Sequence, residues 1–334
     1  MIAPVRPISI DDIEQARERI KGTVLRTPLV KLDLGSDAPD IRLKLENLQP
    51  TNAYKIRGGA NAVASLSDAD RAKGVWTISA GNAGQGVAYA ARQFGIPCTV
   101  VAIETAPQTK LDRMRALGAS IVPVSYDRAW VAAETHEFEE LDSTFVHPFD
   151  NHDFIAGHAT MGLEIVEDCP DVRTVICAIG GGGLITGVGS AVKARKPDAK
   201  VLGAEPETAA PYELSLREGS PQKFEDWQAS FVDGAGGKSV TARMWQRMRP
   251  VTDGTITVTL DQTRDAMRII AEKSRTIAEG AGALALAAAL SRKDLEGPIV
   301  CVVSGGNIDL DKFAELTSRA GEPATRESVI EATA

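Results

Sequence analysis

The sequence predicts an α/β protein with mostly parallel sheets, and three observations carry that expectation. Short β-rich runs alternate with helical patterns, the alternation falls into two blocks, and glycine-rich turns stand where strands give way to helices. At 334 residues the chain exceeds the usual single-domain size, so one large domain or two closely packed ones around a substantial core are expected.

The elements follow in order. SIDDIEQARERI reads as a helix, with Ser9 able to cap it and Asp12 as an imperfect capping-box partner. Strand and helix patterns then pair as IRLKLE with GANAVASL, VWTI with GQGVAYAARQFG, CTVVAI with TKLDRMRALG, and SIVPV with DRAWVAAETHEFEEL. After His147 come FIAGHATMGLEIVED, RTVICAI, LITGVGSAVKA, KVLGAE, a mixed stretch, TRDAMRIIAEKS, GALALAAAL and PIVCVV. No Pro/Gly/Ser-rich linker, low-complexity segment or fixed-period repeat separates the blocks, which predicts packed domains with short crossings. The tail after Thr317 reads as loose.

Composition narrows the function. The net charge is -8 with no Lys/Arg block, which argues against nucleic acid or an anionic membrane as the main partner and leaves a small molecule. No apolar run approaches the roughly 20 residues of a spanning helix, and Met1 to Pro7 lacks a signal-peptide layout. A cytoplasmic protein is expected. Cys98, Cys169, Cys177 and Cys301 are far apart without CxxC spacing, which predicts reduced core thiols and no zinc site.

Four segments carry chemistry. In NLQPTNAYKIRGGANAV, Lys55 follows a turn-prone Pro-Thr-Asn and opens a helix beside Arg57. The helix dipole and Arg57 would both favour a neutral amine there, the form Schiff-base chemistry needs, although a solvated lysine at a helix start has the same local sequence. SAGNAGQGVAYAAR runs from a strand into a helix whose first N–H groups can hold a carboxylate or phosphate, with Asn82 adding a donor. In CAIGGGGLITG, four glycines, Gly180 to Gly183, exceed what a tight turn needs, and a nest of N–H groups around a phosphate is the simplest reason for them. Neither segment has Walker spacing, and the acidic residue of a confident NAD site is missing. IVCVVSGGNIDL places Ser304 at a strand end, where cofactors of α/β folds lie.

Taken in order over roughly Ile20 to Leu316, these segments resemble the fold type II pyridoxal 5'-phosphate (PLP) enzymes, most closely the threonine and serine dehydratase branch that also contains serine racemases. The resemblance implies two doubly wound domains, with 50–146 as a small domain inserted into a larger one of 1–49 plus 147–334, and PLP between them. It makes Lys55 the Schiff-base lysine and catalytic base, with Tyr54 beside the cofactor ring. Asn82 would bond the cofactor's phenolic oxygen. The phosphate would lie against Gly180, Gly181, Gly182, Gly183 and Leu184, and Ser304 would face the pyridine nitrogen. Ser79, Ala80, Gly81, Asn82 and Ala83 would surround the substrate, with its carboxylate on Ser79, Gly81 and nearby N–H groups. The implied reaction is β-elimination from a small 3-hydroxy amino acid, giving a 2-oxo acid and ammonia; homodimers are typical of the family.

Departures from the family pattern sharpen the expectation. Racemases of this branch carry a serine as second acid/base where this chain has Ala80, and a methyl carries no proton. The usual His after the asparagine is Ala83, followed by Gly84, which should open space for a bulkier or differently charged substrate side chain. A divalent cation would fall to Glu205 and the Ala209 carbonyl, but the third ligand position is Pro211, which has no carboxylate. His158 replaces a common Gln and reads as helix packing; Arg128 reads as a substrate-acid partner or a solvated arginine. FVDGAGGKSV around Asp233 and EGAGA around Glu279 look like cleft loops. The alternatives are racemisation, PLP-dependent β-replacement, whose SVKDR-like and SGNTG-like strings are absent, and a non-catalytic Rossmann-like nucleotide binder using Gly180 to Gly183.

Overall fold

The computed structural model describes residues 2–36 and 38–318; apart from Ser318, the tail read as loose after Thr317 lies outside the described residues. Helix α1 (Ile10–Ile20) begins at Ser9, whose Oγ accepts the Asp12 N–H at 3.1 Å while Asp12 Oδ2 accepts the Ser9 N–H at 2.9 Å. The capping box is therefore complete. Strands β1 (Leu29–Lys31) and β2 (Ile41–Leu45) lead to α2 (Lys55–Ala64), α3 (Asp68–Lys73), β3 (Val75–Ile78), α4 (Asn82–Phe94), β4 (Cys98–Ile103), α5 (Gln108–Ala116), β5 (Ser120–Val124), α6 (Tyr126–Thr135) and β6 (Thr144–Phe145). Then come α7 (His152–Asp168), β7 (Thr174–Ala178), α8 (Gly183–Arg195), β8 (Lys200–Pro206), α9 (Pro211–Glu218), α10 (Ala242–Met248), β9 (Gly254–Val258), α11 (Leu260–Ser274), α12 (Gly280–Ser291), β10 (Ile299–Val303) and α13 (Leu310–Thr317).

Among the described residues, the strands form two sheets, ordered β1-β2-β10-β7-β8-β9 and β5-β4-β3-β6. Every pairing is parallel except β1 with β2. Strands β7 and β10 are buried along their whole length, as uninterrupted apolar runs between helical layers should be. One side of the larger sheet packs with α7 and α8 through residues such as Ile155, Ile185 and Val188, and the other with α11 and α12 through Met267, Leu284 and Leu286. All four cysteines are buried and free.

Two readings of local structure need correction. The α6 pattern ran to Leu141, but the helix stops at Thr135, where His136 turns left-handed at φ 61° and its N–H closes on the Ala132 carbonyl at 3.0 Å. Arg57 is not a charge offered to Lys55. Its guanidinium is fully buried between Glu46 and Glu164, with four contacts of 2.7–2.9 Å to their carboxylate oxygens, and Lys44 Nζ reaches Glu164 at 2.6 Å. This set ties α2 to the end of β2 and to α7. Removing one member of such a buried set costs about 3–5 kcal/mol, because the remaining charge is left without a partner.

Candidate active site

In parallel sheets the C-terminal strand ends open together. Here the ends of β3, β7 and β10 deliver Ser79, Gly181 and Ser304 around a cleft of about 440 Å³, a size suited to a small organic ligand. Tyr54, Lys55, Ser79 to Ala83, Gly181 and Ser304 all line it. Gly180, Gly182, Gly183 and Leu184 do not contribute to that lining, and the Leu184 side chain is buried in the core against α7.

Lys55 is the first residue of α2, and its Nζ donates to the Pro148 carbonyl at 2.7 Å. The amine lies 5.3 Å from the centre of the Tyr54 ring and 5.4 Å from that of Phe154. Although part of the side chain faces the cleft, it is enclosed by protein, and this desolvation lowers its pKa from 10.5 to about 7. The expected neutral amine thus has burial as its cause, in place of Arg57. Tyr54 is tethered by its N–H to the Ser304 carbonyl at 3.0 Å. Its ring rests edgewise on His158 at 4.6 Å, and that histidine is fully buried behind the site with a pKa well below the usual value because of desolvation. His158 is a packing residue.

The glycine loop has a steric reason. A Cβ on Gly181 would lie 2.3 Å from the Phe149 ring, and one on Gly182, whose φ is +86°, would lie 2.4 Å from Met248 Sδ. The loop therefore runs with its backbone bare at the start of α8, where the first N–H groups have no partner within the helix. Helix α4 offers a second such start: Asn82 is its first residue, and Ser79 Oγ accepts the Gly81 N–H at 3.0 Å. Ala83 lines the cleft, but Gly84 does not open it further. A Cβ there would meet Met114 Sδ at 2.5 Å and the Ser79 carbonyl at 2.7 Å, so Gly84 serves close packing.

Several lining residues carried no assignable signal in the sequence. Asn82 Nδ2 donates to Glu279 Oε1 at 2.6 Å, while its Oδ1 accepts from Asn307 Nδ2 at 2.8 Å. Glu279 is enclosed, and desolvation pushes its pKa up to about 7; Asp233 adds to the rise, and the Asn82 donor and Lys110 oppose it. Lys110 pairs with Asp233 across the cleft mouth. Pro148 and Phe149 follow a two-residue strand too short to leave a pattern.

The proposed cation position is used otherwise. Glu205 is buried, and its two carboxylate oxygens accept the Tyr212 and Glu213 N–H groups at 2.8 and 2.9 Å, capping α9. Ala209 lies outside the cleft. Among the described residues, no group of three or more His, Cys, Asp or Glu is placed to hold a metal ion. Arg128 is exposed on α6 and paired with Glu140, away from the cleft.

Comparison with known proteins agrees with this geometry. The family model described as pyridoxal-phosphate dependent enzyme matches residues 20–305. The L-threonine ammonia-lyase of Thermotoga maritima is 38% identical over 97% of this chain and 82% of its own length. The catabolic L-threonine dehydratase of Escherichia coli strain K12 is 35% identical over 93% of this chain and 96% of its own. Among solved structures, the serine racemase of Dictyostelium discoideum superposes with a TM-score of 0.83 at 33% identity, covering 91% of this chain and 99% of that one.

Proposed function

Because the chain belongs to the pyridoxal-phosphate dependent enzymes, we propose that it is a dehydratase of the ammonia-lyase type, eliminating water from a small 3-hydroxy amino acid to give a 2-oxo acid and ammonia. The single observation that carries the reading is Lys55: an amine brought near neutrality inside a ligand-sized cleft, facing helix starts whose N–H groups suit anions. The cleft fits the cofactor. The backbone cradle at Gly181 admits no Cβ, and Asn82 and Ser304 supply polar groups on the lining. Gly180 to Gly183 with the Leu184 N–H would hold the phosphate, Asn82 the ring oxygen, Ser304 the ring nitrogen, and Tyr54 would adjoin the ring. When bound, PLP supplies an electron sink for the bond broken at the α-carbon.

The chain's own residues do the rest. Ser79, Gly81 and the α4 start bind the substrate carboxylate. Lys55 Nζ takes the α-proton, and its pKa of about 7 lets it act as base at neutral pH. Ala80 supplies no proton to the substrate, which supports elimination over racemisation. The Tyr54 and Phe154 rings, centred 5.3 and 5.4 Å from the amine, exclude water from it. Ala83 on the lining supports a substrate side chain larger than that of threonine or of different charge.

The Glu205 contacts favour activity without a divalent cation there. The domain reading is 50–146 as a small domain set into 1–49 plus 147–334, and it is supported by the four-stranded sheet lying wholly within the first span. The working form is proposed to be a cytoplasmic homodimer, testable by light scattering and fractionation. Among the described residues, no helix is long and apolar enough to cross a membrane.

The test is a visible spectrum of the purified protein before and after L-serine, L-threonine and bulkier or acidic 3-hydroxy amino acids, with 2-oxo acid and ammonia assayed alongside. An absorption band in the violet that Lys55→Ala abolishes, with equal oxo acid and ammonia from one compound, is expected. No band after addition of PLP would sink the reading; inverted amino acid without oxo acid would move it to racemisation. Threonine as the best of the panel would refute the larger or differently charged side chain.

A further inference from the structure

Asn82 is held on both sides of its amide. Its Nδ2 donates to Glu279 Oε1 at 2.6 Å and its Oδ1 accepts from Asn307 Nδ2 at 2.8 Å. The Asn307 backbone N–H is also turned toward the Glu279 carboxylate and helps to lower its pKa, so the three residues form one connected cluster. The cluster is anchored by backbone groups: Asn307 Nδ2 also donates to the Thr51 carbonyl at 2.8 Å, and the Glu279 N–H donates to the Gly305 carbonyl at 3.0 Å.

The backbone makes room for this arrangement. A Cβ on Gly305 would sit 2.4 Å from Glu279 Oε1 and 3.2 Å from Asn82 Nδ2, directly in the contact. A side-chain amide offers two N–H donors and one oxygen, and its flip exchanges them. With the oxygen facing Asn307 and one N–H facing Glu279, one N–H remains for a ligand in the cleft. A flipped amide would set its NH2 against the Asn307 NH2 and its oxygen against the Glu279 carboxylate, so both neighbours oppose the flip.

We propose that Glu279 and Asn307 are positioning residues that fix the rotation of the Asn82 amide, so that its remaining N–H is presented to the ring oxygen of the cofactor. The proposal rests on the reading of Asn82 as a cofactor-binding residue. Neither Glu279 nor Asn307 need touch the reacting atoms, and both act through Asn82.

The test uses the full chain freed of cofactor and the probe pyridoxine 5'-phosphate, which keeps the ring oxygen but has no aldehyde to condense with Lys55. Its affinity is measured by equilibrium dialysis. Asn82→Ala should weaken binding about tenfold, the effect of one hydrogen bond. Glu279→Ala and Asn307→Ala should each weaken it by about three- to tenfold in the native background and add nothing in the Asn82→Ala background. Glu279→Gln, which keeps an oxygen acceptor, should restore most of the loss seen with Glu279→Ala.

Losses that add fully to that of Asn82→Ala would overturn the proposal and leave both residues as general supports of the cleft. An unchanged affinity in Asn82→Ala would overturn the underlying reading of Asn82 instead, and the two failures are told apart by that one variant. If Asn307→Ala does not fold, Asn307→Ser, whose hydroxyl is too short to span the gap, answers the same question.

Discussion

The amine of Lys55 has one neutral acceptor, the Pro148 carbonyl at 2.7 Å, and otherwise lies between aromatic rings. Among the described residues no carboxylate holds the charged form, so desolvation prevails. The rate at which the cofactor-free chain takes up PLP should therefore fall about tenfold per pH unit below about 7 and level off above it. Stopped-flow absorbance across pH 5.5–9 measures this, and a midpoint near 10 would mean an ordinary solvated lysine. Two buried acids predict a different profile, in stability. Glu205 and Glu279 are each raised from 4.5 to about 7, so their protonated forms suit the fold. Stability is free of this cost below pH 4.5 and is lost as pH rises to about 7, by an amount on the order of a few kcal/mol per group. Urea unfolding of the cofactor-free chain at several pH values should show the decline. Glu205→Gln should remove roughly half of it, and an unchanged slope in that variant would assign the decline elsewhere.

At the scale of elements, the glycine loop before α8 shows what a sequence can and cannot announce. Four glycines between an apolar strand and a helix declared a bare backbone turn, and Lys55 opening α2 was legible in the same way, because both depend on neighbours in the chain. What the glycines accommodate was not legible. Phe149 and Met248 come from segments 32 and 66 residues away from Gly181 and Gly182 in sequence and meet them only once α7 and α10 have packed. The same holds for Arg57, whose carboxylate partners lie on the end of β2 and on α7, and for the Glu279–Asn82 contact, which spans 197 positions. The short strands β1 and β6 escaped notice because two or three residues show no period. Gly181→Ala is the informative change at this scale. The added methyl must displace the Phe149 ring and with it the adjoining Pro148 carbonyl that holds Lys55. We expect a stability cost of about 1–3 kcal/mol and at least a tenfold loss of PLP affinity, measured by thermal unfolding and absorbance titration. An affinity equal to the native chain's would show that the loop is not part of the cofactor cradle.

For the whole molecule, the cleft is bounded by two sheet regions, and besides the buried contacts of Asn82 and Arg57 they are tied across the cleft mouth by side chains of α5. From α5, Lys110 pairs with Asp233, and one turn later Arg113 Nη1 donates to Asn307 Oδ1 at 3.1 Å and approaches Asp309 at 3.9 Å. These side chains are partly exposed, so each contact should contribute no more than about 1 kcal/mol to stability, and salt should weaken it further. Their consequence lies in access. Holding α5 against the loops at Asp233 and Asn307 narrows the mouth of the cleft over Lys55, and motion of one sheet region against the other would open it. The double variant Lys110→Ala, Arg113→Ala should therefore unfold within about 2 kcal/mol of the native chain, yet hydroxylamine should strip cofactor from it several-fold faster. Raising the salt concentration should speed the native chain's reaction toward the same value and leave the variant nearly unchanged. Equal stripping rates at low salt would place the barrier to entry in the apolar walls, at Tyr54 and Phe149, and leave the α5 contacts without a part in closing the site.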